Sequence, residues 1–262
     1  NGATFVCGDL YTEFDFRDKH SDGWGTTYPV QRARFDQLLA HEAERMGAEV
    51  RFRHEVIAAD TSGERPVVQV RAPDGEVYSV EASFLLDASG FGRILPKLLK
   101  LERPSNFPVR GAIFTHIQDH ITPGSFDRDK IRITVHPEHT DVWYWLIPFA
   151  GGRASLGVVA AKSFFDAHTT ADPTALLREI HGEDPGLTEV LAHADWNTPA
   201  RLITGYSSNV TTMHGPGFAL LGNAGEFLDP VFSSGVTIAF KSSSLASALL
   251  LRQLDGEKVD WE

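Results

Sequence analysis

The sequence predicts an α/β (α+β) fold in which a partial Rossmann-like domain is interrupted by an inserted, mostly antiparallel β-sheet domain. Two apolar strands that each run into a turn of small residues indicate the first domain, and an amphipathic helix near the start of the chain belongs with them. Long β-like runs between the two strands indicate the second domain. We place the Rossmann-like domain at residues 1–102 and 210–262 and the inserted domain at residues 103–209.

The first and last parts of the chain carry the pattern of the Rossmann-like domain. Apolar residues recur at helical spacing from Pro29 to a glycine stop at Gly47, and the alternation around Pro73-Asp74-Gly75 predicts a β-hairpin. The predicted elements, in order, are a helix at residues 29–46, a strand at about 49–58, the hairpin, a buried strand ending at Asp87, a strand at 218–221 and a closing helix from 235 to about 252.

The middle of the chain changes to longer extended runs separated by turn residues such as Gly151-Gly152, which predicts an antiparallel sheet. Its predicted strands are residues 110–117, 130–137, 141–149, 153–161 and 200–209. Two short helices are expected before the last strand, at residues 173–180 and 186–193.

Composition narrows the class of protein. The chain has 262 residues, of which 42% are hydrophobic, and a formal net charge of -11, so we expect a globular protein without the basic face of a nucleic-acid binder. The single cysteine, Cys7, excludes an internal disulfide and is expected to be a small buried hydrophobe. No apolar stretch approaches the length of a membrane span, so we expect a cytoplasmic protein. Asn1 is not a Met and leads directly into β-like residues, from which we expect further chain upstream.

A candidate site lies where the strand at residues 218–221 meets the closing helix. Gly222-Asn223-Ala224-Gly225 follows the strand, and Ser233-Ser234-Gly235 opens the helix. Glycine permits positive φ and leaves no Cβ in the way of a ligand, and the positive end of a helix stabilises a nearby anion. The alternative is an ordinary strand-to-helix turn with a serine N-cap.

Two further stretches strengthen this prediction. Asp87-Ala88-Ser89-Gly90 again places small residues directly after a buried strand, and Arg32 stands at the head of a predicted helix, from which it could reach a pyrophosphate. Three such features in this order predict a backbone cradle for an anion or a polar ring.

These stretches resemble motifs of the FAD-dependent halogenase and aromatic-hydroxylase superfamily. The chain matches VxRxxFDxLL at residues 30–39, DASG at 87–90 and G(D/N)AxxFxDPxFSSG at 222–235, so the resemblance spans nearly the whole chain. It implies an incomplete FAD-binding domain and an inserted substrate-binding domain. The cofactor-binding residues that it implies are Arg32, Val56, Asp87, Ala88, Gly90, Gly222, Asn223, Ala224, Asp229, Pro230, Ser234, Gly235 and Val236.

A narrower motif points to halogenation. WYWLIP at residues 143–148 resembles the WxWxIP signature of flavin-dependent halogenases, and its spacing puts both indoles on one face of a strand. An aromatic sheet face needs no chemistry, and that is the alternative. The resemblance implies halogenation of a phenol- or pyrrole-like group with O₂, a halide ion and reduced FAD from a separate flavin reductase. The implied catalytic residues are Trp143, Trp145 and Ser233, and the implied halide site is Ser234 with Gly235.

The sequence departs from the superfamily at two places. No GxGxxG follows a strand, so the main pyrophosphate loop cannot be assigned, nor can the catalytic lysine, which would lie upstream of residue 1. Phe232-Ser233 stands where tryptophan halogenases carry Glu-Ser, which favours a small phenol- or pyrrole-like substrate, free or tethered to a carrier protein, over free tryptophan.

Other chemistries remain as alternatives or are set aside. A flavin-dependent monooxygenase or dehydrogenase on the same fold, and a non-catalytic or truncated relative, fit the shared motifs as well. The histidines at residues 116, 120, 136 and 139 show no ligand spacing typical of a metal site, and no GxSxG supports Ser-His-Asp hydrolysis. We therefore expect no metal.

Overall fold

A computed structural model of the chain describes residues 1–227 and 230–261. The strands within these residues are β1 (Gly2–Cys7), β2 (Leu10–Asp15), β3 (Glu55–Asp60), β4 (Val67–Arg71), β5 (Val77–Glu81), β6 (Leu85–Asp87), β7 (Glu102–Arg103), β8 (Arg110–Gln118), β9 (Lys130–Val135), β10 (Trp143–Pro148), β11 (Arg153–Ala161), β12 (Arg201–Thr204), β13 (Asn209–Val210), β14 (His214–Gly215) and β15 (Phe218–Leu220). The α-helices are α1 (Arg32–Arg45), α2 (Ile94–Leu98), α3 (Lys162–Asp166), α4 (Pro173–His181), α5 (Pro185–Val190) and α6 (Gly235–Leu254). Short 3₁₀ helices lie at Gly90–Gly92, Ala150–Gly152, Gly222–Ala224 and Pro230–Phe232.

The predicted elements are present, but several boundaries differ. Helix α1 begins at Arg32 rather than near residue 29, and the strand expected at residues 200–209 is divided into β12 and β13, with Gly205 at a left-handed φ of 64° between them. The strand expected from residue 49 begins only at Glu55, because Arg53 adopts a left-handed φ of 59° that turns the chain just before it. Helix α5 begins at Pro185, where the Asp184 side chain accepts a hydrogen bond from the Leu187 N-H, and it ends at Val190 rather than near residue 193.

The chain divides into two compact units. The sheet unit comprises residues 1–48 and 109–205, and the turn unit comprises residues 49–108 and 206–262. Residues 1–48 therefore group with the antiparallel sheet, although their sequence pattern predicted that they belong to the Rossmann-like domain. The pattern of alternating residues in β1 does not reveal which distant strand it pairs with, so this boundary was not readable from sequence.

The sheet unit is built on a seven-stranded sheet with the order β12-β8-β11-β10-β9-β1-β2. Its strand pairs are antiparallel except for β1 and β9, which run parallel, as the register of Gly2 with Lys130 and of Cys7 with Val135 shows. β1 and β2 thus extend the predicted antiparallel sheet at one edge. Cys7, at the end of β1, is exposed, so the expectation that it would be buried was wrong.

One face of this sheet forms the core of the unit. Tyr144 lies in it with 1% of its surface exposed, and its hydroxyl donates a hydrogen bond of 2.9 Å to the Ile180 carbonyl at the end of α4. Burial raises the pKa of the Tyr144 hydroxyl, which stays neutral as a donor. The surrounding buried side chains come from the sheet and from α3, α4 and α5; they include Ile113, Val142, Val158, Phe165, Leu176, Leu177, Ile180 and Leu187.

Helix α1 forms where its apolar spacing predicted, yet none of its residues is buried. Leu38 is 64% exposed, and Met46, its C-cap, is 77% exposed. Leu38 and Met46 are therefore largely exposed, whereas Phe35 on the same helix is half-buried.

The turn unit contains several smaller sheets. β3, β4 and β5 form an antiparallel sheet, with a bulge in β3 between Val56 and Ala58. β6 pairs in parallel with β15, which also pairs antiparallel with β14. Leu95, Phe218 and Leu220 form the buried core beside them. None of the helices in the described residues, α6 included, is both long and apolar enough to cross a lipid bilayer.

The sheet of the first unit contains a tight contact that can be tested. A Cβ on Gly157 would lie 2.3 Å from the Trp145 ring, which faces it across β10 and β11. We expect Gly157→Ala to displace the indole and to lower the free energy of unfolding by about 1–3 kcal/mol, measured by chemical denaturation. Gly63→Ala is the control, because its new Cβ would meet only the Arg65 carbonyl at 3.6 Å. Equal stability of the two variants would contradict the packing described here.

Candidate functional site

Two turns of small residues meet at one edge of the turn unit. β6 and β15 are parallel neighbours in which Asp87 pairs with Leu220, so both strands end at the same edge. The Leu221 N-H then donates 2.8 Å to the Asp87 carbonyl, and the 3₁₀ helices Gly90–Gly92 and Gly222–Ala224 that follow the strands contact each other. The carboxyl ends of parallel strands are where α/β sheets bind ligands.

The Asp87 carboxylate organises the first turn. It is 7% exposed, and its Oδ1 accepts from the Ser89 N-H at 2.7 Å while its Oδ2 accepts from the Leu95 N-H at 2.7 Å. The Ser89 hydroxyl oxygen in turn accepts from the Ile94 N-H at 2.9 Å. Asp87 therefore folds the chain around Ala88 and Ser89, and together Asp87 and Ser89 satisfy the first two N-H groups of α2.

The glycines of the two turns have different surroundings. Gly90 has φ +58°, and a Cβ there would meet no described atom within 4 Å. Gly222 has φ +51°, and a Cβ there would lie 3.0 Å from the Ala239 Cβ and 3.1 Å from the Ala239 Cα on α6. The Gly222 N-H also donates 3.0 Å to the Ser242 hydroxyl. Gly90 thus leaves open space beside the backbone, whereas Gly222 allows the turn to pack tightly on α6.

Helix α6 begins in a short run of serine and glycine residues. Ser234 is its N-cap but makes no side-chain capping hydrogen bond, and no acidic residue lies in the first turn. The serine-capped turn that the sequence allowed is therefore not what the structure has. Ser233, with φ +52°, holds the backbone in a left-handed conformation, and its N-H donates to the Pro230 carbonyl at 2.8 Å. The positive dipole end of α6 therefore lies beside Ser233, Ser234 and Gly235.

The residues next to the helix start are small or polar. A Cβ on Gly235 would lie 3.5 Å from the Phe227 ring and 3.8 Å from the Asn223 Oδ1, which are ordinary contact distances. Val236 follows at 39% exposure. Asp229, which the resemblance implies for cofactor binding, lies outside the described residues.

The remaining predicted cofactor residues lie elsewhere. Val56 sits at the bulge of β3 in the turn unit. Arg32, in the sheet unit, is the first residue of α1, and its guanidinium donates to both Asp36 carboxylate oxygens at 2.9 and 3.0 Å. This hydrogen-bonded partner raises the pKa of the guanidinium. Arg32 is thus positioned by its own helix.

The two tryptophans lie together on one face of the sheet unit. Their ring centroids are 6.0 Å apart, and the Trp145 Nε1-H donates 3.0 Å to the Ser155 hydroxyl on β11. The Trp145 ring also lies 6.1 Å from that of Phe114 on β8. Tyr144 between them points into the core on the other face. The indole of Trp145 is therefore held by a hydrogen bond and by the absence of a side chain at Gly157.

Sequence reasoning missed an arginine and an aromatic group in the turn unit. Arg93 follows the first turn, is 7% exposed, and has a left-handed φ of 49°. Phe227 packs edge-on against Phe91 and Tyr206, with centroids 5.5 Å apart in each pair. A charged residue directly after Ser89-Gly90-Phe91-Gly92 was the available signal, but sequence alone does not show that the charge is buried.

His136 of the sheet unit is held by structural partners. His136 is 3% exposed; its Nδ1 accepts from the Glu138 and His139 N-H groups, and its Nε2 lies 2.6 Å from a Glu183 carboxylate oxygen. Burial acts to raise the pKa of the Glu183 carboxyl. Its hydrogen bonds with His136 and His168 outweigh that effect, so the pKa is lowered. Within residues 1–227 and 230–261, His, Cys, Asp and Glu form no group that could hold a metal.

The sequence profile of the tryptophan halogenase family matches residues 14–259. Among curated proteins, a tryptophan 2-halogenase of Chondromyces crocatus is 29% identical over 88% of this chain and 45% of its own length. A 1H-pyrrole-2-carbonyl-[peptidyl-carrier protein] chlorinase of Pseudomonas fluorescens is 28% identical over 84% of this chain and 50% of its own length. The chain thus spans about half the length of these relatives.

Two solved structures are similar to nearly the whole chain. A flavoprotein/dehydrogenase from Cytophaga hutchinsonii superposes with a TM-score of 0.92 at 38% identity, covering 99% of this chain and 63% of that one. The myxobacterial chondrochloren halogenase CndH superposes with a TM-score of 0.85 at 30% identity, covering 98% and 60%.

The two glycines that flank the candidate site make a matched pair of variants. Gly222→Ala should lower the free energy of unfolding by about 1–3 kcal/mol, because it places a Cβ at positive φ against Ala239. Gly235→Ala should change it by less than about 1 kcal/mol, since alanine suits a helix and meets only ordinary contacts.

The variant with the smaller effect on stability, Gly235→Ala, should have the larger effect on ligand binding. Per folded molecule, Gly235→Ala is expected to weaken FAD binding about tenfold or more by crowding the open start of α6. Thermal unfolding and fluorescence titration measure the two effects. A Gly235→Ala protein that binds FAD as the wild type does would count against a ligand at the helix start.

Proposed function

The chain belongs to the tryptophan halogenase family, and on that premise we propose that it is part of an FAD-dependent halogenase that acts on a phenol- or pyrrole-like aromatic group. The turn unit is assigned to FAD binding and the sheet unit to the substrate. The observation that carries the proposal is the meeting of two small-residue turns beside the start of α6, where the N-cap Ser234 makes no side-chain capping hydrogen bond.

The residues of this edge suit a flavin. Gly90 leaves open space beside a backbone that a Cβ would otherwise fill, and Gly235 adds no side chain at the helix start. Flavin rings and phosphates are polar or negative, so backbone N-H groups and the dipole of a helix start favour them. We assign to FAD binding Asp87, Ala88, Gly90, Gly222, Asn223, Ala224, Pro230, Ser234, Gly235 and Val236, together with Arg32, Val56 and Asp229.

We also assign a halide site to this edge. When bound, reduced FAD supplies with O₂ the oxidising chemistry that turns a halide ion into an electrophilic halogen. The protein's part is to hold the anion, and we assign this to the backbone N-H groups at Ser234 and Gly235. Ser233, held at φ +52°, sets the direction in which these groups point.

The two tryptophans are assigned to the chemistry from the sheet unit. Trp145 is held by Ser155 and Gly157, and Trp143 packs beside it, so both indoles are preorganised by the sheet itself. Large rigid indoles exclude water and occupy space that a substrate would need for direct oxygen transfer. We propose that they favour halogenation over direct oxygen transfer.

The relatives support an aromatic substrate. The similar Pseudomonas fluorescens and Pseudoalteromonas luteoviolacea proteins are a chlorinase and a brominase of 1H-pyrrole-2-carbonyl-[peptidyl-carrier protein]. We therefore propose a pyrrole- or phenol-like substrate, tethered to a carrier protein or free, and a separate reductase as the source of reduced FAD. A second candidate function is oxidation without halide, which the flavoprotein/dehydrogenase of Cytophaga hutchinsonii favours by its 38% identity.

The test uses the complete protein. It is supplied with reduced FAD, oxygen and bromide, together with free phenols, pyrroles and tryptophan and with a pyrrole tethered to a carrier protein, and products are followed by mass spectrometry. A bromide-dependent mass shift on a phenol or pyrrole is expected. Oxidised product without halogen would establish the second candidate instead, and the absence of any bound flavin would overturn both.

The role of the tryptophans has its own test. Trp145→Phe keeps an aromatic ring but loses the hydrogen bond to Ser155, so we expect a folded protein that forms more halogen-free oxidation product relative to halogenated product. Trp196→Phe, on the helix-covered side of the sheet, is the control and should leave the ratio unchanged. If Trp145→Phe left the ratio of halogen-free to halogenated product unchanged, Trp145 would have only a packing role.

A further inference from the structure

Arg93 is a buried cation in a conformation that arginine seldom adopts. It stands between the 3₁₀ helix Gly90–Gly92 and α2, where it serves as the N-cap of α2 with φ 49° and ψ 52°. Only 9% of its side chain is exposed. A left-handed non-glycine residue and a buried charge are both unfavourable, so each persists only where the surrounding structure holds it.

The guanidinium of Arg93 joins segments that are far apart in sequence. Its Nε-H donates 3.1 Å to the Glu102 carboxylate on β7, and its Nη2-H donates 3.1 Å to the Asn209 carbonyl on β13. Its Nη1 donates to the Ser208 hydroxyl and, at 3.3 Å, to the Gly225 carbonyl. Glu102 is the ionic partner, and its side chain is 46% exposed.

The position of Gly225 shows which two parts of the turn unit these contacts connect. Gly225 directly follows the 3₁₀ helix Gly222–Ala224, while Arg93 directly follows the 3₁₀ helix Gly90–Gly92. One planar side chain therefore ties the residue after the first turn to the residue after the second.

We propose that Arg93 is a positioning residue for the cofactor: it sets the separation of the two turns whose backbone groups hold FAD. The inference rests on the proposed function, since it concerns the same site. Arg93 acts through Gly90 and Gly225 and touches no reacting atom. Lysine cannot replace it, because an ammonium lacks the planar fork of five donors that reaches several acceptors at once.

The test compares Arg93→Lys with Arg252→Lys in the complete protein. Arg252 lies near the end of α6 and forms an exposed pair with Glu257 at 2.7 Å, so it controls for the change of residue type. FAD affinity per folded molecule is measured by fluorescence titration, the environment of bound flavin by its visible spectrum, and the stability of the apoprotein by thermal unfolding.

Arg93→Lys should raise the Kd for FAD about tenfold or more and shift the visible spectrum, because hydrogen bonds to a charged group are lost. Arg252→Lys should stay within about twofold of the wild type. A merely structural arginine would lower the unfolding temperature and leave both the Kd and the spectrum unchanged, and that result would overturn the inference.

Two further measurements keep the outcomes distinct. If Arg93→Lys does not fold, Ser208→Ala removes one acceptor while the guanidinium stays, and an FAD Kd equal to that of the wild type would then overturn the inference. Wild-type protein that binds no FAD would overturn the proposed function and the inference together. Wild-type binding with unaffected Arg93→Lys would overturn the inference alone.

Discussion

The parallel pairing of β6 with β15 is the constraint on which the candidate site depends. Leu85–Asp87 and Phe218–Leu220 are separated by 130 residues of chain that includes the whole inserted part of the sheet, yet their hydrogen-bonded register ends both strands at one edge. Each strand then passes into a turn that only small residues allow. The start of α6 packs on the second turn at Ala239, so the pairing also places the helix N-terminus at that edge.

A few polar side chains convert this pairing into a defined shape. Asp87 closes the first turn with both of its carboxylate oxygens, and Ser242 receives the Gly222 N-H of the second. Arg93 links the ends of the two turns. Buried polar groups of this kind are unfavourable unless their hydrogen bonds are complete, so they specify one arrangement of the backbone rather than a range.

The sheet unit holds two large indoles side by side on one face. Alternation along β10 sends Tyr144 and Leu146 into the core and leaves Trp143 and Trp145 on the other face. Glycine across the strand from Trp145, and a serine hydroxyl at its N-H, then fix one rotamer. Fixed aromatic walls suit a site that must favour one reaction over another, because they lose little entropy when a ligand binds.

The sequence by itself determined the local elements and the chemistry of the turns. Glycine, aspartate and serine at the ends of apolar strands have steric and hydrogen-bonding properties that hold in any context, and the period-two spacing of Trp143 and Trp145 needs no partner to be read. The family followed from the same motifs, and the profile match over residues 14–259 agrees with it. The tertiary structure alone decided the parallel pairing of β1 with β9, the exposure of Cys7 and of α1, and the burial of Arg93. These features depend on contacts between residues distant in sequence, whose energies no local pattern of residues contains.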